Sequence, residues 1–252
     1  MKYLHLIIFL AISPLIFAQS NTSSPYSIGG LGELAFKGNA INRHMGGLDI
    51  YSDSLHANLN NPASFGDLKL VTYGVGINYK STKLASSATE ETIASGSLDY
   101  FLVAIPTKHF SFGFGILPAT SVGYRLQSIT QGDDINNVIS QNEGSGGLNQ
   151  TFFTIGFKVT DYLNLGVSAN YNFGRISNEY SRQEQNVDFG SFFNKKSSLV
   201  GFNYRFAAQF KIPLTNKIRL DAMSFYVPEN TLTSTNESTF FTRSITTSNI
   251  GD

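Results

Sequence analysis

The sequence predicts an all-β fold, specifically an antiparallel transmembrane β-barrel. Three observations predict it: long stretches of strict apolar/polar alternation, a composition poor in charge and rich in Phe, Tyr and Gly, and an N-terminal export signal. Charged residues make up 14% of the 252-residue chain and aromatics 13%, with 23 Gly, no Trp and no Cys. An ordinary soluble domain carries roughly 25% charge. Disorder needs few aromatics and high charge, so this composition argues against it. Eighteen basic and 18 acidic residues cancel, which gives no electrostatic case for a nucleic-acid partner. The absence of Cys excludes disulfides, thiolate metal sites and cysteine nucleophiles.

Residues 1–18 read as a secretory signal peptide. Lys2 supplies the positive start and Leu4 to Phe17 an apolar run broken at Ser13-Pro14. A small residue, Ala18, precedes the polar stretch from Gln19. The run is too short for a spanning helix and no stop-transfer charges follow it. Residues 19–66 lack alternation and are expected to form an N-terminal tail or a hatch folded into the barrel lumen, with weakly signalled helix around Leu34–Asn42.

From residue 67 to 252 strands are expected. Val71, Tyr73, Val75, Ile77 and Tyr79 alternate with polar or Gly positions, as do Phe110, Phe112, Phe114 and Ile116. The pattern recurs from Leu163 to Phe173 and from Val200 to Ile212, and more weakly at 97–105, 149–159 and 218–227. Period two means strands with one apolar and one polar face. Runs of this length suit a tilted membrane crossing better than a sandwich strand. The polar face is rich in Gly, Ser and Asn, as a lumen would be, and Tyr73, Tyr79, Tyr124 and Tyr162 at strand ends suggest interfacial girdles. Pro106-Thr107-Lys108, Thr160-Asp161-Tyr162 and Pro213 to Lys217 read as tight turns, whereas 81–96, 129–148 and 177–197 read as long polar loops. That alternation of short and long connections is the habit of outer-membrane barrels. Pro118 marks a bend within one long strand to about Ser128, or a junction between two.

Motifs for chemistry are weak. Gly30-Leu31-Gly32-Glu33-Leu34-Ala35 fits a dinucleotide G-x-G-x-x-A pattern but lacks the preceding buried strand, so a Gly-rich turn is the favoured reading. His44, His56 and His109 have no metal-ligand spacing, and Gly132-Asp133-Asp134 lacks the remaining oxygen ligands of a calcium loop. No nucleophile–His pairing is visible, so no enzyme, no metal and no cofactor is expected. Arg125, Lys158, Arg205, Lys211 and Arg219 fall on the polar faces, where they would line a lumen and either influence selectivity or pair with acids.

Several short motifs, taken in order, resemble the FadL/TodX-like outer-membrane proteins of Bacteroidetes. They are Ser24-Pro25-Tyr26-Ser27-Ile28-Gly29, Met45-Gly46-Gly47, Asn61-Pro62-Ala63-Ser64, Phe112 to Pro118 with Ser121 to Tyr124, Gly146 to Gln150, and Leu165 to Gly174. The Arg-Tyr pair usual after Pro-Tyr-Ser is absent. The resemblance implies a fourteen-stranded barrel with a hatch to which Asn61, Pro62 and Ala63 belong. It also implies passive uptake of hydrophobic molecules such as long-chain fatty acids or aromatic hydrocarbons, with membrane lipid and lipopolysaccharide as surroundings. About seven strands, with an eighth around Thr239–Thr247, make half such a barrel, so a hatch and a truncated first half are expected. The alternative function is a structural or type IX secretion-associated outer-membrane barrel without transport activity.

Overall fold

A computed structural model of the chain describes residues 24–85, 90–131 and 137–244. The signal segment and Gly132-Asp133-Asp134 lie outside the described residues. The described chain is one nine-stranded antiparallel sheet with a short N-terminal segment packed on one face. β1 (Glu33–Leu34) and α1 (Ala40–His44) belong to that segment. The meander follows: β2 (Thr72–Ala85), β3 (Glu90–Pro106), β4 (Phe110–Gln131), β5 (Asn137–Lys158), β6 (Leu163–Glu184), β7 (Phe189–Pro213), β8 (Arg219–Tyr226) and β9 (Thr233–Ser244). Each of β2 to β8 pairs with its neighbour in sequence.

The helix expected around Leu34–Asn42 is smaller and later. Leu34 is in β1, and only Ala40–His44 coils, opened by a capping box between Asn39 and Asn42. The dinucleotide-like glycines lead into that strand rather than a helix.

The long polar loops are largely strand. β4, β5 and β6 run 22 residues each and β7 runs 25. Residues 138–148 pair with 174–184, and 177–183 pair with 190–196. Only Gln185–Asp188 turn the chain between β6 and β7, with Asn186 at φ 67, the left-handed region that Asn tolerates. Alternation is invisible here because both faces carry Ser, Asn, Gln and Glu. The unequal connections of the sequence are therefore strand extensions on one side of the sheet. A 22-residue strand reaches about 70 Å at ~3.3 Å per residue, more than twice a hydrocarbon core of ~30 Å.

Pro118 lies within a single strand. The register of β4 on β5 slips by one residue between Pro118 and Thr120, leaving Ala119 unmatched. Below the bulge the inward positions of β4 include Ser111, Gly113 and Leu117; above it they include Thr120, Val122 and Tyr124. A shift of one residue exchanges the faces of everything beyond it. Arg125 is therefore not on the inner face: it lies outward, ion-paired with Glu143 at 3.2 Å. Tyr124 is likewise no girdle residue. It is buried on the inner face and donates to Asn178 Oδ1 at 2.8 Å.

The expected eighth strand is the second half of the seventh. β8 pairs with β7 over Phe206–Pro213 and β9 pairs with β7 over Phe189–Val200. Residues 227–232 leave the ladder between them, which places Pro228, without a donor, outside it. Among the described residues β2 does not pair with β8 or β9, so the sheet has two edges.

The faces differ sharply. Outward positions over the lower half include Phe101, Val103, Phe110, Phe112, Phe114, Phe153, Ile155, Phe157, Leu165, Val167, Tyr171, Phe202, Tyr204, Phe206 and Phe210, many of them solvent-exposed. Ring pairs Phe110–Phe157 and Tyr171–Phe202 cross strands at 6.0 and 4.8 Å. Higher up, the same face turns polar, with Arg125–Glu143 and an Asn194-to-Glu179 hydrogen bond of 3.1 Å. Inward, a lower cluster joins Phe65 and Leu68 to Tyr100, Leu102, Ala104, Leu117 and Phe152. An upper cluster joins Val122, Tyr124, Leu148, Ile176 and Leu199.

Candidate functional site

The site is the contact between the inner face and the segment Asn58–Asp67. A 3-10 turn, Pro62–Asp67, is opened by Asn61, whose side chain accepts from the Ala63 amide at 3.1 Å. Pro62 at the first position gives up an amide that would have no partner. Ser64 Oγ donates to the Asn61 carbonyl at 2.7 Å, so the turn holds its own polar groups. It can then be buried: Asn61, Ala63 and Ser64 are 0% exposed and Phe65 is 1% exposed.

Glycines on the strands make room for it. Gly156 and Gly166 are direct partners on β5 and β6, and Gly113 sits beside them on β4. A Cβ on Gly156 would lie 2.6 Å from Phe65 Cβ and 2.7 Å from the Gly66 nitrogen. A Cβ on Gly166 would collide with the backbone between Pro62 and Ala63. The glycines on the polar face are thus a trough for backbone approach.

Polar groups lock the turn in place. Asn61 Nδ2 donates to Gln209 Oε1 at 3.0 Å. Gln209, itself 0% exposed, donates from Nε2 to the Ile50 carbonyl at 2.8 Å and to Ser52 Oγ at 3.1 Å. Arg205 donates to the Asn60 carbonyl at 2.9 Å and lies over the Phe225 ring at 5.0 Å. Lys211 forms an ion pair with Asp67, both mostly buried. Lys37 donates to Gln150 Oε1 at 3.1 Å, and burial, then the charge of Arg205, pull its pKa down.

The sequence-derived residues divide accordingly. Asn61, Pro62 and Ala63 are the centre of the contact. Arg205 and Lys211 join it as anchors. Lys158 and Arg219 have inward positions at the turn end but bond locally, to Asp161 at 2.8 Å and to Asp221 at 2.6 Å. Arg125 has no part in it. Gln209, Asp67, Lys37, Gly156 and Gly166 were missed. Gln209 carried a signal only as one polar position in the Val200–Ile212 alternation. Among the described residues no group of His, Asp and Glu comes together as a metal centre.

A second polar knot, Asp53, steadies the preceding loop. Its carboxylate accepts from the Leu55 and His56 amides, each at 2.7 Å, from Tyr51 at 2.8 Å and from His56 Nδ1 at 2.6 Å. Burial by itself would raise the Asp53 pKa, but these hydrogen bonds outweigh it and hold the group at about 2. Asp67 is lowered too: burial raises it, while Lys211 and neighbouring hydrogen bonds more than compensate. A depressed carboxylate pKa stabilises the fold above its unfolded value, near 3.8, and that contribution is lost as pH falls through the folded value. Docking of the segment is therefore expected to hold constant from pH 7 to about 4 and to weaken from about 4 toward 2. Chemical accessibility of a cysteine at Ser64 measures it, and Asp53→Asn should flatten part of that dependence.

A meandering antiparallel sheet with an uncharged lower outer face, carrying its own N-terminal segment on the inner face, defines an all-β class consistent with association with the outer membrane. The particular family is BamG: its model matches residues 1–251, and the chain belongs to it. No curated protein matches the chain, and no solved structure does. The BamG match corrects the resemblance to FadL/TodX-like transporters. The short motifs behind that resemblance fall here on alternating strands and on the Asn61-Pro62 turn set among glycines. They carry no information about fatty acids or hydrocarbons.

Proposed function

We propose that the chain is an integral outer-membrane protein whose sheet closes as a barrel around the N-terminal segment, with a structural role in outer-membrane assembly and no transport activity. The observation that carries this is the outward apolar belt. From Leu163 to Phe173 on β6 it covers ten residue steps. That is ~33 Å along the strand, or ~25 Å of height at a barrel tilt of ~35–45°, the height of a lipid-facing band. No outward position of β3 to β8 in this belt is charged. Beyond it the same face carries Arg125, Glu143 and Glu179. A water-facing sheet has no reason to confine its charges this way.

The assembly role rests on the family name, which points to outer-membrane assembly, and on the inner face. That face is occupied by a hydrogen-bonded segment tied to four strands, through Gln150, Arg205, Gln209, Lys211 and the glycines of β4, β5 and β6. Such an interior suits a rigid scaffold. Phe153→Arg places a charge within the belt, between Phe114 and Ala169. It is expected to cost about 2–4 kcal/mol in a bilayer and to cut insertion into liposomes sharply. Flotation of the folded protein with lipid measures this. Equal flotation of Phe153→Arg and the unaltered chain would overturn the membrane reading.

A further inference from the structure

β3 and β4 part company halfway up the sheet. Their pairing ends at Phe101 with Ile116. β2 follows β3 beyond that point to Ala85 with Glu90, and β5 follows β4 to Gln131 with Asn137. Glu90–Tyr100 and Leu117–Gln131 therefore present facing edges, across a seam that opens just above the outward apolar belt. The seam is partly filled by the chain itself. Glu33 and Leu34 of β1 pair with Ser121 and Thr120. The Ala35 amide donates to the Ala119 carbonyl at 3.0 Å, and the Ser24 amide to the Gly123 carbonyl at 2.9 Å. Gly32, at φ 99, lets the chain pass against the Ser121 carbonyl where a Cβ would collide.

This filling is slight. β1 is two residues long, and both are exposed, Leu34 at 80%. Tyr26, in the 3-10 turn Pro25–Ser27 that precedes it, is 97% exposed. A side-chain link across the seam joins Glu33 to Lys80, at 3.8 Å between two half-exposed groups. Among the described residues no backbone group pairs with the seam edge of β4 from Tyr124 to Gln131. Unpaired edges of this kind accept an added strand, main-chain hydrogen bonds giving affinity and alternate side chains giving selectivity.

We infer that the seam is a strand-accepting site: an extended segment of a partner polypeptide adds to β4 in place of β1 and continues the ladder upward. β1 is the precedent for this chemistry on the same edge. The inward neighbours there are Val122 and Tyr124 of the upper apolar cluster, so the incoming segment carries apolar residues at every second position. Under the assembly role proposed above, on which the partner's nature rests, that segment is a β-strand of another outer-membrane polypeptide.

The test uses the purified full chain in detergent and a fluorescent peptide copying residues 30–37, followed by anisotropy. Ala35→Pro removes the donor that ties β1 to Ala119. It is expected to tighten peptide binding at least tenfold over the unaltered chain. A Leu34→Cys, Thr120→Cys pair joins β1 to β4 in a chain that has no other Cys. Its oxidised form is expected to bind at least tenfold more weakly than its reduced form, which serves as the folding control. Equal binding by oxidised and reduced forms, or no gain from Ala35→Pro, would overturn the proposal. Liposome flotation reads out separately, so failure here is distinguishable from failure of the membrane reading.

Discussion

Gly166→Val is expected to eject the Pro62–Phe65 turn from the sheet. The new side chain would occupy the space of the Pro62–Ala63 peptide, and neither that backbone nor β6 can give way. β6 is held on both sides by β5 and β7, and the turn is held by Asn61 and Arg205. Overpacking of this kind costs about 1–3 kcal/mol. Ejection adds the lost burial of Phe65, worth about 1.5–3 kcal/mol. Since the chain has no Cys, a single Ser64→Cys reports the event. It should resist maleimide in the parent and react fully in Gly166→Val. Ala169→Val, three residues on and on the opposite face, should leave that protection unchanged.

Gln209→Leu should have the next largest effect. The side chain is fully buried and its amide serves Asn61, Ile50 and Ser52 at once. Leucine matches its volume but strands Asn61 Nδ2 and the Ile50 carbonyl. Each buried group left without a partner costs about 1–3 kcal/mol. Thermal unfolding in detergent should show a clear fall in Tm. Residues joined by one buried hydrogen bond are non-additive, so the cycle of Asn61→Ala and Gln209→Ala should give a coupling of about 0.5–3 kcal/mol. Arg125→Ala, which breaks only an exposed outward ion pair, should change stability by less than about 1 kcal/mol.

How far the fold was legible depended on the distance over which each feature is decided. Alternation is local, so the lower halves of β2, β4, β6 and β7 could be read from residues such as Phe110 to Ile116. The upper halves could not. Stretches such as Ser140–Gly147 are polar or Gly on both faces, and the ladder rather than a hydrophobic face holds them. Arg125 was misplaced because one bulged residue, Ala119, reverses every side chain beyond it, and Pro118 announced a bend without saying which way the register would slip. The Asn61-Pro62-Ala63 turn stood out as a motif, and its partner did not. Asn61 and Gln209 are 148 residues apart, and no periodicity links them. The glycines of the polar face were read as lumen composition because their role needs the segment that fills them.

The central claim is that the two faces of the sheet have different neighbours, lipid outward and the chain's own N-terminal segment inward. Spin labels on single cysteines at Thr151, Phe152, Phe153, Thr154 and Ile155 of β5, in lipid bilayers, test it most directly. Oxygen accessibility should alternate with period two, high at 151, 153 and 155 and low at 152 and 154. Equal accessibility at all five positions, or the reverse phase, would contradict the account.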